Sequence, residues 1–227
     1  LFRSTTAFIQ PLWLKPVVDA LREAGAKPFL TDTNTLYVGA RGESVSHAMT
    51  ASRHGFDAAN LGAPVIIADG LKGEHYKAVP FAGKHIREAY LAGDVLAADV
   101  LVVLSHFKGH ELAGFGGALK NVAMGCAARR GKMHQHACTG PEVKSERCTG
   151  CGACVEVCAA GALVMGEPDE AGQRRVRFDR ERCAGCAACF LACRTGGLEI
   201  DWRTNVQEFL ERMMEYAAAC LLTRPKP

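Results

Sequence analysis

The feature that most restricts this chain is a cysteine pattern that occurs twice. Ser145-Glu146-Arg147-Cys148-Thr149-Gly150-Cys151-Gly152-Ala153-Cys154 returns 35 residues later as Arg180-Glu181-Arg182-Cys183-Ala184-Gly185-Cys186-Ala187-Ala188-Cys189. Each run continues to a fourth cysteine, Cys158 and Cys193, so the spacing C-x2-C-x2-C-x3-C is complete both times. Eight of the eleven cysteines belong to these runs, with Cys126, Cys138 and Cys220 outside them. An odd total and no visible export signal argue for ligands rather than disulfides, and for a reducing, cytoplasmic compartment.

Thiolates at this spacing hold cubane [4Fe–4S] clusters in bacterial ferredoxins, where the fourth cysteine of each run serves the other cluster. The expected ligand sets are Cys148, Cys151, Cys154 and Cys193 for one cluster, and Cys183, Cys186, Cys189 and Cys158 for the other. Small residues between the cysteines (Gly150, Gly152, Ala153, Gly185, Ala187, Ala188) let backbone amides approach the sulfur atoms. A zinc pair is the rival, but zinc sites usually use two separated CxxC pairs. The C-x3-C-x2-C order of radical enzymes is absent. Both runs depart from the usual pattern in lacking a terminal proline: Ala159 follows Cys158 and Arg194 follows Cys193.

The rest of the chain reads as strands alternating with helices. Helices are expected over Trp13–Ala24, over Ser44–His54 with Ser44 as cap, and over Lys84–Leu91. Strands are expected at Pro28–Leu30, Pro64–Ala68 and, most strongly, Asp99–Leu104, an apolar run of the kind that is covered on both faces. This order predicts an α/β architecture with a mostly parallel sheet layered with helices. Between about Pro141 and Asp201 helical periodicity gives way to the cysteine runs. Val206, Phe209, Leu210, Met213, Ala217 and Leu221 then mark one face of a last helix. The expected organisation is an α/β domain from residues 1–140, an inserted ferredoxin-like α+β module at 141–201, and a helix at 202–227 returning to the α/β domain.

Charge follows the same division. Residues 1–140 carry 15 basic and 11 acidic side chains, whereas 141–201 carry 8 and 10. A basic body and an acidic module are suited to docking. The net charge of +3 argues against a dedicated nucleic-acid binder, and the longest apolar runs are too short to cross a bilayer. The chain begins at Leu1 rather than Met and reads as a segment of a longer protein.

A second constellation follows the Asp99–Leu104 run. Ser105-His106-Phe107-Lys108-Gly109-His110-Glu111 leads into Leu112-Ala113-Gly114-Phe115-Gly116-Gly117-Ala118-Leu119-Lys120-Asn121. Ligands of α/β proteins sit at the carboxyl ends of strands, and a glycine turn into a helix offers free N–H groups to an anion. His106, Lys108 and His110 are therefore candidate catalytic residues, the histidines as proton donors. Gly116, Gly117, Lys120 and Asn121 are candidate substrate-binding residues. A flexible glycine loop is the plain alternative. His106, His110, His134 and His136, with Cys126 and Cys138, could form a further metal site, His134 and His136 lying on one side of an extended segment. Cys220 reads as a small buried hydrophobe.

The stretch SHFKGHELAGFGGALKNVAMGCAARRGK (Ser105–Lys132), with KPFLTDTNTLYVGAR and GAPVIIADGL before it and the double cysteine run after it, resembles the domain-of-unknown-function 362 family of uncharacterised iron–sulfur centre proteins. The resemblance covers nearly the whole chain. It implies an α/β domain carrying a two-cluster ferredoxin module, and chain beyond both ends of this segment, but it brings no assigned reaction. The expected function is a dicluster iron–sulfur protein that relays electrons to or from a redox partner protein or a small anionic substrate, with an oxidoreductase as the leading enzyme class. A non-enzymatic electron carrier or assembly factor is the alternative, and purely structural clusters are a third reading.

Overall fold

The computed structural model describes residues 8–36, 39–110, 114–136, 141–183, 188–200 and 206–223. Helix α1 spans Pro11–Glu23, with proline at its start, where no N–H partner is needed, and Leu14 and Val18 buried on one face. The short strand β1, Leu30–Asp32, pairs in parallel with β2, Val65–Ile67. Between them lie α2, Ser44–Arg53, and α3, Ala58–Leu61. Asp57 caps α3 by accepting the Asn60 N–H, and Gly62 ends it in the left-handed region that favours glycine.

The cap of α2 differs from expectation. The carboxylate of Glu43 accepts the N–H groups of Val45 and Ser46 at 2.8 and 2.7 Å. Ser44 instead donates to the Gly70 carbonyl at 2.6 Å, fastening the start of α2 to the turn after β2. The carboxylate offers a separate oxygen to each amide and adds negative charge at the helix start.

Lys84–Leu91 does not form a helix. Strand β3, Tyr76–Pro80, pairs antiparallel with β4, Glu88–Ala92, and the short helix α4, Gly93–Ala97, follows. Ala89 and Leu91 are fully buried while Glu88 faces solvent, a period of two. The amides of Lys84, His85 and Ile86 all donate to the Glu215 carboxylate, and the residues from Glu88 on give their backbone groups to β3 instead of to a helix.

Asp99–Leu104 is also not a strand. It pairs with no strand among the described residues, and Val100, Val102, Val103 and Leu104 are exposed. The large parallel sheet is therefore corrected to five two-stranded sheets among the described residues, of which only β1–β2 is parallel. An apolar run becomes a central strand only when neighbours take its backbone groups on both edges, and here none does.

Beyond this run, β5 (Lys108–His110) and β6 (Gly114–Gly116) form an antiparallel pair. Helices α5, Ala118–Gly125, and α6, Arg129–Gln135, follow. In the cysteine region β7, Pro141–Val143, pairs antiparallel with β10, Leu198–Ile200, so the two ends of the 141–201 stretch lie side by side. Between them stand α7 (Ala153–Glu156), the hairpin of β8 (Leu163–Pro168) and β9 (Arg174–Phe178), and α8 (Ala188–Ala192). The chain ends in α9, Val206–Leu222, which packs on α5, α6 and β4.

Two apolar cores result. The larger joins Ile86, Leu91, Val95, Val122, Cys126 and Ala127 to Phe209, Met213, Tyr216, Ala217 and Cys220 of α9. Cys220 is fully buried, as its apolar face suggests, whereas Leu221 points to solvent. The smaller core contains Cys154, Leu163, Val176, Phe190 and Leu198 together with Leu36 and Met133 from outside the cysteine region. No helix among the described residues is long and apolar enough to cross a membrane.

Polar contacts also fix α9 on the turn before β4. Glu211 faces Lys84, His85 and Gln207, and these contacts, led by Lys84, hold its carboxyl down to about 2. An unfolded glutamate titrates near 4.5, so this stabilisation is present above pH 4.5 and is lost as pH falls towards 2. Urea titrations should therefore show a smaller loss of stability between these pH values in Glu211→Gln than in the wild type.

Candidate functional site

The first run of cysteines builds a pocket. Gly150 and Gly152 take positive φ angles of 68° and 77°, and the chain folds back so that Cys148, Cys151 and Cys154 face one space. Cys193, carried in by the turn after α8, completes the wall, with Thr149, Val176, Thr195, Gly197 and Leu198 around it. The pocket is partly open to solvent. Among the described residues no three His, Cys, Asp or Glu side chains are close enough to hold a single ion.

The environment of these thiols is uneven. Burial pushes the Cys154 thiol up, and charge on Cys193, Cys148 and Cys151 adds to the shift. Burial also acts upward on Cys193, but hydrogen bonds from the Thr195 side chain and from the backbone of Leu198, Thr195 and Gly197 outweigh it and hold that thiol below its ordinary range. The turn after Cys193 is thus a small nest of donors for a sulfur anion. Gly197 has a packing reason to lack a side chain, since a Cβ there would lie 3.1 Å from the Cys148 Cα.

The second run is described in part. Cys183, Cys189 and Cys158 are half-buried, Cys158 and Cys189 pack against the smaller core, and α7 lies on α8. The Cys158 sulfur accepts the Ala162 N–H at 3.2 Å. Cys186 lies outside the described residues.

The residues expected at the glycine turn are distributed along a surface hairpin. His106 is half-buried before β5, Lys108 is exposed in β5, and His110 lies in β5 with its side chain outside the description. Gly116 ends β6, Gly117 precedes α5, and Lys120 and Asn121 lie in the first turns of α5. The aliphatic stem of Lys120 covers Gly116, where a Cβ would come within 3.2 Å of it. Burial, and then the charge of Lys108, lower the Lys120 amine. Phe107 and Phe115 stand beside them with ring centroids 5.5 Å apart, both largely exposed.

Among the described residues, those expected at the further metal site form no group that could hold a metal ion. His134 lies inside α6 and His136 caps it, so the two are not on one side of an extended segment. His134 Nδ1 is 2.8 Å from the Tyr216 hydroxyl, which itself accepts the Tyr90 N–H at 3.2 Å. His136 stacks on Phe209 at 4.3 Å, and burial pushes its imidazole down to about 3. Cys126 belongs to the larger core, and Cys138 lies outside the described residues.

A polar cluster that sequence reasoning missed lies at the carboxyl ends of β1 and β2. Lys132, on α6, reaches the Thr33 hydroxyl and donates to the Asn34 carbonyl at 2.6 Å. Asn34 gives both its backbone N–H and its side-chain N–H to Asp69 Oδ1 at 2.9 Å. Asp32 accepts the Thr33 N–H, His47 Nε2 lies 3.6 Å from Asp32 Oδ2, and the Arg41 guanidinium is 4.0 Å from the same oxygen. Burial pushes the Lys132 amine down to about 8 against the pull of Asp32 and Asp69. Burial also acts upward on the Asp32 carboxyl, yet His47, Lys132 and the Thr33 amide bring it below its usual range, whereas Asp69 is raised by burial. The one available signal was the Thr31-Asp32-Thr33-Asn34 stretch ending a strand, whose polar residues read equally well as a turn.

A family model described as a domain of unknown function (DUF362) matches residues 2–226. No curated protein matches the chain.

Two expectations follow from this geometry. A Cβ at Gly150 would lie 2.1 Å from the Arg174 carbonyl oxygen, in addition to the unfavourable φ. Gly150→Ala should destabilise the fold by more than about 2 kcal/mol in denaturant titrations. Lys132→Met would leave Asp32 and Asp69 without their buried cation and should cost about 3–5 kcal/mol at neutral pH. The folded amine titrates near 8 and an unfolded lysine near 10.5. The unfolded chain therefore binds more protons across that window, and the stability gap between wild type and variant should widen as pH rises through it.

Proposed function

We propose that this chain, which belongs to the family described as a domain of unknown function (DUF362), is an iron–sulfur protein that holds two [4Fe–4S] clusters and relays electrons to or from a small anionic substrate or a redox partner. The observation that carries this reading is the meeting of Cys193 with Cys148, Cys151 and Cys154 around one pocket. A fourth ligand drawn from the other run is what two-cluster ligation requires. The second cluster would use Cys183, Cys186, Cys189 and Cys158. The reading makes 141–201 a ferredoxin-like module and the protein a candidate oxidoreductase of the cytoplasm.

When bound, such clusters supply one-electron transfer at a potential set by burial and by hydrogen bonds to sulfur. The residues of this chain would act on both controls. Val176 and Leu198 wall the pocket with apolar surface, and Cys154 is only 7% exposed. The donors around Cys193 favour negative charge on that sulfur. Leu36 and Met133 share a core with Cys154, so the pocket is packed directly against the α/β body rather than hung from it.

A second reading, an electron carrier that docks on a partner protein, is favoured by the exposed Phe107 and Phe115 beside Lys108. Aromatic side chains with a neighbouring cation are common at interfaces. Reoxidation of the reduced protein by small molecules alone would separate the enzyme from the carrier.

Anaerobic reconstitution should load about eight irons and eight sulfides per chain. Stoichiometric zinc without sulfide would overturn the assignment. Cys193→Ser should alter the spectrum of the cluster held by residues 148–154, and Cys158→Ser that of the cluster held by residues 183–189. Damage confined to the mutated run in each case would contradict the exchange of fourth ligands.

A further inference from the structure

We infer that the two redox centres proposed for this chain are unequal, and that the Thr195 hydroxyl makes them so: it donates to the Cys193 sulfur and raises the reduction potential of the cluster that Cys193 ligates. This rests on the iron–sulfur reading and adds a direction to it, because an electron delivered to either cluster settles on the one that includes Cys193. Thr195 acts through Cys193 and is a positioning residue, not a ligand.

The internal repeat runs past the cysteines into the turns that follow them. Cys158-Ala159-Ala160-Gly161-Ala162-Leu163 and Cys193-Arg194-Thr195-Gly196-Gly197-Leu198 correspond position by position. Gly161 and Gly196 hold the same place in the two turns, with φ angles of 58° and 69°. Each turn delivers a buried leucine to the first position of a strand, Leu163 in β8 and Leu198 in β10. On this common backbone the side chains differ. Thr195 stands where the first turn has Ala160, and its Oγ1 lies 3.7 Å from the Cys193 Sγ, within hydrogen-bond reach of sulfur. Ala160 has no side-chain donor to offer Cys158, whose sulfur accepts the Ala162 backbone N–H. Gly197 leaves room for the threonine contact, since a Cβ there would lie 3.3 Å from the Thr195 hydroxyl oxygen.

Chemistry fixes the direction of the bond and of its effect. Between a free thiol and a hydroxyl either group can donate, but a thiolate bound to iron has no proton, so the hydroxyl must be the donor. A donor aimed at a sulfur anion favours the more negative state of the group that the sulfur serves. One electron from an external reductant makes a cluster more negative, so the bond strengthens on reduction and the potential rises. Arg194, where the first turn has Ala159, pushes the same way, but it is exposed and salt screens its field, whereas salt does little to a hydrogen bond at contact distance.

The experiment is a redox titration of the anaerobically reconstituted full chain with a low-potential chemical reductant at high ionic strength. Electron paramagnetic resonance follows the titration, and iron and sulfide are measured on every preparation. The wild type should show two one-electron steps at different potentials, and Cys193→Ser should change the signal of the higher one. Thr195→Val, which removes the hydroxyl and keeps the shape, should move that step to a more negative potential and leave the other in place. Thr195→Ala, which gives the second turn the residue of the first, should do the same, and Thr195→Ser, which keeps the hydroxyl, should stay near the wild type. Thr149→Ala removes a hydroxyl that lines the same pocket, and it should leave both steps unmoved. Coincident potentials in the wild type, a change of the lower signal in Cys193→Ser, an unmoved potential in fully loaded Thr195→Val, or an equal shift in Thr149→Ala would each overturn the inference and leave the cluster assignment standing. A wild-type chain that takes up no iron and sulfide would overturn the cluster assignment and the inference together.

Discussion

One buried amine organises the α/β body. Lys132 extends from α6 to the ends of both parallel strands, meeting the Thr33 hydroxyl and the Asn34 carbonyl and lying within the field of Asp32 and Asp69. The β1–β2 sheet has only three residue pairs, too few to hold its place by backbone hydrogen bonds alone. Its outgoing loops are held by side chains instead. Asp69 takes both N–H groups of Asn34, and Ser44 binds the Gly70 carbonyl, so the turns after β1 and β2 and the start of α2 form one network around the lysine. Such a network is costly to desolvate, but once closed it admits few alternative arrangements.

Helix α6 extends this role to the rest of the molecule. Successive residues point to different neighbours: Lys132 to the strand ends, Met133 to the core behind the cysteines, His134 to Tyr216, and Gln135 to the Ala123 carbonyl. A helix of seven residues is short, and its stability comes from these contacts rather than from propensity. Its Gly131 is also required for packing, since a Cβ there would lie 2.3 Å from the Tyr90 carbonyl oxygen. The long α9 then closes the larger core from the other side, anchored by Glu215 on three backbone amides.

The cysteine region depends on this frame without repeating its design. Its strands are paired β7 with β10 and β8 with β9, so the stretch is closed at its own base. Its core nevertheless contains Leu36 and Met133. A redox group in the pocket of Cys148, Cys151, Cys154 and Cys193 would therefore sit beside the segments that carry Asn34 and Lys132. That adjacency gives the proposed electron relay a short path to the α/β body and a reason for the two regions to share one chain.

The sequence alone determined what depends on local spacing. The double C-x2-C-x2-C-x3-C run fixes the number and spacing of its eight thiols, because these are carried by residue type. The helices near Pro11–Glu23 and Val206–Leu222 were legible from apolar periodicity and the one near Ser44–Arg53 from the serine and glycine at its ends, since a helix closes its hydrogen bonds within itself. Tertiary structure decided the rest. The Asp99–Leu104 run has strand composition but no paired neighbour among the described residues, and Lys84–Leu91 forms no helix because β3 took its last residues as a strand partner. The cluster of Asp32, His47, Asp69 and Lys132 was equally hidden, as its members come from four separate segments. Strand pairing and buried charge networks are contacts between residues far apart in the chain, and no local pattern says which of several polar residues will share one buried place.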